Sequence, residues 1–368
     1  MNLCGIVVEY NPFHNGHIHH IKEARRLTNP DAIIAIMSGN YTERGDLSVM
    51  DKFAKAKTAL DNGIDLVIEL PFVYATQSAS VFAKGAVEIL NKCQINSLCF
   101  GSETNDLEGL MEVASVEINP DNLKEIMKEG LSYPKAISLL SDSFYPNDIL
   151  AISYLKALRN KDIKPVSIAR TNHYHSSELN EIASASAIRK AIKEGLDYHH
   201  ATPSDIPYPV FIEDLYPYLR RILLTASREY LKEIHMVSEG IEKVLIDNAY
   251  KYTEYNDFIN HCTSRRYTQS RIQRILLKIM LGIKKNDLEN TDFNYIRVLG
   301  FNDKGREVIK YLKSKDIDVI TQFKKLPPKA KEIEYKATAL YASLFDEKRY
   351  EYLLNRELKG PEIKTEVM

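Results

Sequence analysis

The chain has 368 residues, which at about 100–200 residues per domain is enough for two or three domains with a sizeable core and excludes a peptide module or disulfide miniprotein. A hydrophobic fraction of 44% beside 27% charged residues, with 15 Gly and 14 Pro, excludes collagen-like and globally disordered chains. Lys+Arg 49 against Asp+Glu 50 leaves a formal charge of −1, so any attraction to nucleic acid must come from a local patch.

The first hundred residues alternate strand-like and helix-like stretches. Leu3 to Val8 is a short apolar run, and Gly16 to Leu27 follows with helical spacing and basic residues at its end. Ala32 to Met37 precedes a loop and a helical stretch from Asp51 to Asp61; Asp65 to Leu70, a helix around Ser78 to Leu90, and Ser97 to Phe100 repeat the cycle. Nearly continuous apolar strands separated by helices predict an α/β domain, a Rossmann-like doubly wound parallel sheet covered on both faces. Asp106 to Ser143 and Pro146 to Leu158 read as helices, Lys164 to Ile168 as a strand, and Ser184 to Ile192 as a capped helix. This places an α/β catalytic domain over 1–200. Beyond the Pro-punctuated stretch Thr202 to Pro207 the pattern becomes mainly helical, giving a second domain over 201–368.

The four cysteines form no CxxC pair, which argues against a zinc ribbon or a disulfide framework and fits a reducing cytoplasm. The start of the chain lacks the basic region of a signal peptide, and no run approaches the ~20 apolar residues of a membrane span. The expectation is a cytoplasmic protein without membrane contact.

Asn11-Pro12-Phe13-His14-Asn15-Gly16-His17 sits where the first strand ends and the first helix begins. In a parallel sheet this is where ligands bind, and a helix N-terminus there offers N–H groups and a positive dipole to phosphate. Gly16 lets the backbone come close, and His14 and His17 can donate to phosphate oxygens. The plain alternative is a turn carrying two solvated histidines. The HxGH signature resembles the nucleotidyltransferase superfamily, whose histidines stabilise the pentavalent α-phosphate as pyrophosphate leaves. Ala183-Ser184-Ala185-Ser186-Ala187-Ile188-Arg189 is similar to a second element of that superfamily, a small-polar run entering a helix with a basic residue.

Further segments narrow the resemblance: Met37-Ser38-Gly39-Asn40 with Arg44-Gly45, Glu69-Leu70-Pro71-Phe72, Phe100-Gly101-Ser102-Glu103, Pro146 to Leu150 and Tyr295 to Phe301. Together with Val7 to His17 they resemble the bacterial tRNA(Met) cytidine acetate ligase family. That resemblance implies an enzyme that forms acetyl-adenylate from ATP and acetate, then acetylates N4 of the wobble cytidine of elongator tRNA(Met). It implies catalytic roles for His14, His17 and Arg189. It also implies an ATP pocket of Val7, Val8, Glu9, Tyr10, Asn11, Pro12, Phe13, His14, Asn15, Gly16, His17, Ile18, His19 and His20, completed by Gly101, Asn147, Arg170, Ser184 and Ser186. The residues alone assign His19 and His20 no catalytic role. Thr171 to His175 departs from the family in lacking a glycine before Tyr174-His175, which bears on that loop's conformation.

Attack of a carboxylate on the α-phosphorus builds charge on phosphoryl oxygens, and catalysis is mostly positioning plus electrostatic stabilisation. His14, His17, Arg170, Arg189 and a helix N-terminus are suited to it; no nucleophilic side chain or protein-bound metal is expected, and Mg²⁺ would arrive with ATP. Lys22 either reaches the triphosphate or is a solvated helix lysine. In the loop Gly39 to Gly45, Arg44 either holds a carboxylate or RNA phosphate or is a surface charge. Phe258 to Asn286 lacks acids but carries Arg265, Arg266, Arg271, Arg274 and Lys278 with Tyr267 interleaved, which predicts a tRNA-binding ridge backed by an apolar face. The other reading is a solvated face. No stable protein partner is implied. A small-molecule adenylyltransferase and a non-catalytic RNA- or nucleotide-binding module are the alternatives to a ligase.

Overall fold

Runs rich in Val, Ile and Leu that end at polar or glycine-containing sequence form the strands. The computed structural model describes residues 1–115, 146–170, 183–289 and 291–365. Strand β1 (Leu3–Val8) leads into α1 (Asn15–Thr28), β2 (Ala32–Ser38) into α2 (Lys52–Asp61), and β3 (Leu66–Leu70) into α3 (Phe72–Ala75) and α4 (Ala79–Lys92). Next come β4 (Ser97–Ser102), α5 (Leu107–Ser115), α6 (Pro146–Leu158), β5 (Lys164–Ala169) and α7 (Ala185–Glu194). Of the helices expected between Asp106 and Ser143, α5 is observed; the remainder lies outside the described residues, as does the 171–175 loop.

The five strands run parallel in the order β5-β4-β1-β2-β3. Strand β1 therefore lies at the switch point, with the chain winding outward on either side of it. Val8 pairs with Met37, so β1 and β2 end side by side and their loops leave from one place. Alternate residues of β2 enter different cores. Ile33, Ala35 and Met37 join one cluster, whereas Ala32, Ile34 and Ile36 join the other, as a sheet covered on both faces requires.

Helices follow: α8 (Tyr216–Thr225), α9 (Arg228–Glu233), α10 (Ile241–Lys251), α11 (Tyr255–Cys262) and α12 (Gln269–Leu281). The chain then returns to the sheet, which a helical reading of 201–368 does not anticipate. Strand β6 (Ile296–Phe301) pairs antiparallel with β3 and is wholly buried. It is followed by α13 (Asp303–Ser314), β7 (Val319–Ile320), α14 (Pro328–Ala342), α15 (Glu347–Leu358) and β8 (Glu362–Ile363), and both β7 and β8 pair with β6. The apolar run Ile-Arg-Val-Leu-Gly-Phe covers the β3 edge that would otherwise expose unpaired backbone groups. The helical segment shares a core with the sheet: Ile272, Ile275 and Leu276 of α12 belong to the same cluster as Met37 and Phe72. Among the described residues no helix is long and apolar enough to cross a membrane.

Four buried charges fasten the returning segment. Lys52 Nζ lies 2.7 Å from Glu69 Oε1 and 2.8 Å from Glu357 Oε2, and Arg297 Nη1 lies 2.5 Å from Glu69 Oε2 and 2.8 Å from Glu357 Oε1. Thr338 adds a hydroxyl to Glu357 at 2.9 Å. Two cations against two carboxylates leave no net buried charge, and α2, β3, β6, α14 and α15 meet there. Removing one member leaves a charge buried without its partner. Arg297→Met is expected to lower the unfolding free energy by about 3–5 kcal/mol in urea titrations, far more than an exposed pair such as Lys57–Asp61 would.

Candidate active site

The site grows from the turn between β1 and α1. Tyr10 takes a left-handed backbone at φ 51°, sparsely populated for a bulky residue, and its ring is almost fully buried. Asn11 then pins the turn to the loop after β2: its side-chain amide donates to Leu47 O at 3.0 Å and its carbonyl accepts from Val49 N at 2.9 Å. Arg189 of α7 donates to Asn11 O at 2.6 Å, and Thr202 donates to Phe13 O. Three separate stretches thus brace the motif.

His14 is the N-cap of α1 and His17 its third residue. His14 Nδ1 accepts from Gly16 N at 3.1 Å, and His17 Nδ1 accepts from His14 N at 3.1 Å, a reciprocal capping box built from imidazoles. A backbone N–H can only donate, so each Nδ1 carries a lone pair and each neutral ring carries its proton on Nε2. The rings lie 3.7 Å apart, with Tyr10 against the edge of His17. Burial, helped by Arg170 and Arg189, pushes His14 down to about 3; burial and the neighbouring His14 push His17 well down too. Both are therefore neutral N–H donors at pH 7. Because His14 binds its proton more weakly folded than unfolded, its contribution to stability is complete above pH 6.5 and is lost as pH falls toward 3.

The histidines face a cleft of about 330 Å³ at the C-terminal edge of the parallel strands. Val7, Val8, Glu9, Tyr10, Asn11, Gly16, His19 and His20 line it with them. Pro12, Phe13, Asn15 and Ile18 of the expected ATP stretch do not line it. Phe13 is core, Ile18 packs against that core, and Asn15 donates to His200 O, because a turn that presents some residues must bury or anchor the others. Across the cleft stand Gly101, Asn147 and Arg170 from the β4 and β5 side, and Ser184, Ser186 and Arg189 from the start of α7. Ser184 caps that helix by accepting from Ala187 N, and Arg189 reaches Ser186 Oγ at 3.3 Å. Asn147 donates to Glu103, while Asp148 Oδ1 accepts from Ser102 Oγ at 2.6 Å, joining α6 to the end of β4. Lys22 is exposed about two turns into α1 and does not line the cleft, in keeping with a solvated lysine.

The loop after β2 supplies a further wall: Thr42, Glu43, Arg44 and Asp46 all line the cleft. Glu43 and Asp46 went unassigned, although their place beside Arg44-Gly45 at the end of a parallel strand was a usable signal. Tyr154 of α6 was missed as well, since its place is that of an ordinary buried helix residue, and Leu150, quoted within the segment Pro146 to Leu150, also lines the cleft.

A family model described as HIGH Nucleotidyl Transferase matches residues 1–356. A tRNA(Met) cytidine acetate ligase of Clostridium perfringens is 38% identical over 94% of this chain and 96% of its own length. One of Staphylococcus aureus is 36% identical over 96% and 98% respectively. The chain belongs to the tRNA(Met) cytidine acetate ligase family. Among solved structures it is similar to Thermotoga maritima TmcAL bound with alpha-thio ATP, with a TM-score of 0.87, 32% identity and 100% of both chains covered.

In this ligase-family chain the expected tRNA ridge needs correction. Arg274 is 8% and Lys278 0% exposed, because α12 packs them against the loop after β2 and the segment Phe72 to Gln77 rather than presenting them to solvent. Arg274 Nη1 donates to Glu43 Oε1 at 2.8 Å, Glu43 O at 3.2 Å and Gln77 O at 2.6 Å. Lys278 donates to Thr76 and lies over the Phe72 ring, 4.2 Å from its centroid. Tyr267 is also buried and donates to Ser238 O at 2.8 Å, so it offers no stacking face. Gly45 explains the closeness of α12: it has φ 79°, and a Cβ there would fall 2.5 Å from Arg274 N. Arg265 and Arg266 are exposed, and Arg271 is half-buried over Tyr267.

The double duty of His14 can be separated. His14→Ala should cost about 0.5–2 kcal/mol of stability by loss of the cap, and His14→Asn should recover most of it, since asparagine is a good N-cap. Adenylate formation is expected to fall roughly 10²–10³-fold in both, because neither side chain supplies the Nε2–H donor. Restoration of activity by asparagine would show that the cap, not the donor, was what the reaction needed.

Proposed function

We propose that this chain is an ATP-dependent ligase that activates acetate as acetyl-adenylate and transfers the acetyl group to N4 of the wobble cytidine of elongator tRNA(Met). The observation that carries this reading is the pair of neutral histidines, each holding its proton on Nε2, at the mouth of a cleft that also holds Arg170 and Arg189. An acetate oxygen attacks the α-phosphorus, a P–O bond forms, and pyrophosphate leaves. Charge then develops on the α-phosphoryl oxygens, where His14 and His17 donate hydrogen bonds and Arg189 adds positive charge. Arg189 reaches the site already oriented, because Asn11 O holds it. Mg²⁺ travels with the triphosphate.

In the second step the amine attacks the acetyl carbonyl and AMP leaves. A wobble base suits such a pocket, since anticodon-loop bases can be splayed out of their stack. A small-molecule adenylyltransferase would leave AMP on its product, and neither it nor a binding module without turnover accounts for the family to which the chain belongs. The residues that line the cleft all fall within 1–200. Within 201–368, Arg265, Arg266 and Arg271 are the basic side chains of the expected ridge that reach solvent, and we assign them to the RNA backbone. The reducing cytoplasm, where tRNA is modified, is the compartment this implies.

Incubation of tRNA with the protein, ATP and isotopic acetate, without acetyl-coenzyme A, should place the label in N4-acetylcytidine and release AMP and pyrophosphate. Label that appears only with acetyl-coenzyme A, or AMP attached to the final product, would overturn the ligase reading. Neutralising Arg265, Arg266 and Arg271 together should weaken tRNA binding and flatten its log K against log salt slope by about 1 per lost phosphate contact. An unchanged slope would put the RNA surface elsewhere.

A further inference from the structure

Two tyrosines outside the cleft hold their rings in solvent. Tyr208 and Tyr352 are 55% and 52% exposed. A lone exposed ring is ordinary, but these two flank the same cation. The Arg349 guanidinium carbon lies 5.0 Å from the Tyr208 ring centroid and 5.5 Å from that of Tyr352, within the range of a cation–π contact. Asp51 holds that cation in place. Its Oδ1 caps α2 by accepting from Phe53 N and Ala54 N at 3.0 Å, and its Oδ2 lies 2.8 Å from Arg349 Nη2.

Both rings stand on fixed backbone. Tyr208 lies between Pro207 and Pro209, whose restricted φ stiffens the chain on either side. Just before it, Ile206 joins Val49 and Met50 in a buried cluster, and the Thr202 and Ser204 hydroxyls donate to Phe13 O of the histidine motif. Tyr352 projects from α15, which Asp346 caps by accepting from Arg349 N at 2.8 Å. The residues three and four away from Tyr352 on that helix are Lys348, Arg349, Asn355 and Arg356, so no acid stands at those positions. Asp51 answers Arg349 and Glu362 answers Arg356, which leaves Lys348 as the exposed cation beside the ring.

The chain bounds the distance to the cleft. Asp46 lines the cleft and Asp51 holds Arg349, and the five steps of chain between them span at most about 18 Å. Stacked nucleotides advance about 3.4 Å each, so about five of them cover that span. Rigid aromatic rings half open to solvent, with a lysine beside them, match the chemistry of an unpaired nucleotide: the base offers a π-face and the phosphate a charge. Resting on the ligase reading above, we propose that Tyr208 and Tyr352 form a stacking platform for unpaired nucleotides of the tRNA loop whose wobble base enters the cleft. Arg349 is a positioning residue between the two rings, and Lys348 meets a phosphate. Stacking is tolerant of base identity, so the platform adds affinity and orients the loop while choice of the modified base stays with the cleft.

The chain contains no tryptophan, so Tyr208→Trp and Tyr352→Trp each install a single fluorophore that keeps a stacking ring. Emission from each is expected to be quenched on titration with an anticodon stem-loop RNA and to stay unquenched with a fully paired duplex of the same length. Tyr208→Ala and Tyr352→Ala should each raise the Kd for tRNA about 5–150-fold, with phenylalanine restoring it and leucine not. Their log K against log salt slope should stay at the wild-type value, whereas Lys348→Gln lowers it by about 1. Acetate-dependent ATP–pyrophosphate exchange should be unchanged in the tyrosine variants, since neither ring lines the cleft, and it reports that each is folded. If the alanine variants do not fold, the tryptophan titrations decide. Unquenched emission in a tryptophan variant that still acetylates tRNA, an unchanged Kd in either alanine variant, or phenylalanine no better than alanine would overturn the platform. Emission that follows protein concentration rather than RNA would overturn it in favour of contact between copies of the chain. If the wild type places no label from acetate in tRNA, the ligase reading falls and the platform with it.

Discussion

Three carbonyl oxygens at the ends of β1 and β2 converge on one buried ammonium. Lys55 Nζ donates to Glu9 O at 2.8 Å, Ser38 O at 2.9 Å and Gly39 O at 2.6 Å. Parallel strands end with carbonyls that have no further partner, and a buried carbonyl left unpaired is costly. An ammonium has three N–H donors and satisfies all three acceptors, which an amine with two could not do. Burial pushes Lys55 down to about 7, against the pull of Glu9, Asp51 and Glu69, so its charge depends on the carboxylates around it. The two loops that form the site leave the sheet at this point. With Lys55 in place, Glu9 and the 39–47 loop have fixed origins, and side-chain contacts farther along have something rigid to act on.

The HxGH spacing follows from helix geometry as much as from chemistry. A residue at the N-cap and one at the third helical position can bond the backbone groups of the first turn, and the two histidines do this with Nδ1, His17 accepting from His14 N and His14 from Gly16 N. Capping fixes the tautomer, and the tautomer places a proton on Nε2. Neutrality follows from burial and from Arg170 and Arg189, which disfavour imidazolium. The site thus obtains positive charge from arginines and directional donors from the neutral imidazoles of His14 and His17. Gly16, between the two histidines, is the donor to His14 and needs no side chain to fill that role.

The parallel half of the sheet was legible because every inner strand is an uninterrupted apolar run, and the histidine motif because it stands at a strand-to-helix junction. Strand β6 was quoted as a motif and not recognised as sheet, since an antiparallel partner more than 200 residues away from β3 leaves no local trace. Arg274 and Lys278 were misplaced for a related reason. Helical periodicity puts them beside Arg271, but whether a face is wet depends on what packs there, and Gly45, which admits α12, lies in a distant loop. Glu43 and Asp46 lie in a loop, whose place at the strand end is legible but where no period marks which side chains face the cleft.

The absence of acids from 258–286 was read as freedom to bind RNA, and part of that charge is instead answered from elsewhere in the chain. Glu43 meets Arg274, Glu239 meets Arg266 and Glu233 meets Lys284. These pairs differ in consequence. Arg266 and Lys284 sit in solvent, where an ion pair is worth little and a phosphate can displace the carboxylate. Arg274 is enclosed, and its three acceptors all lie on elements of the α/β half. Its guanidinium therefore serves as a brace between α12 and the Glu43 loop, so a displacement of α12 would reach Glu9 through a single intervening residue. Charge along 258–286 thus divides into two kinds, solvated before and after α12 and enclosed where Gly45 lets the loop after β2 approach that helix.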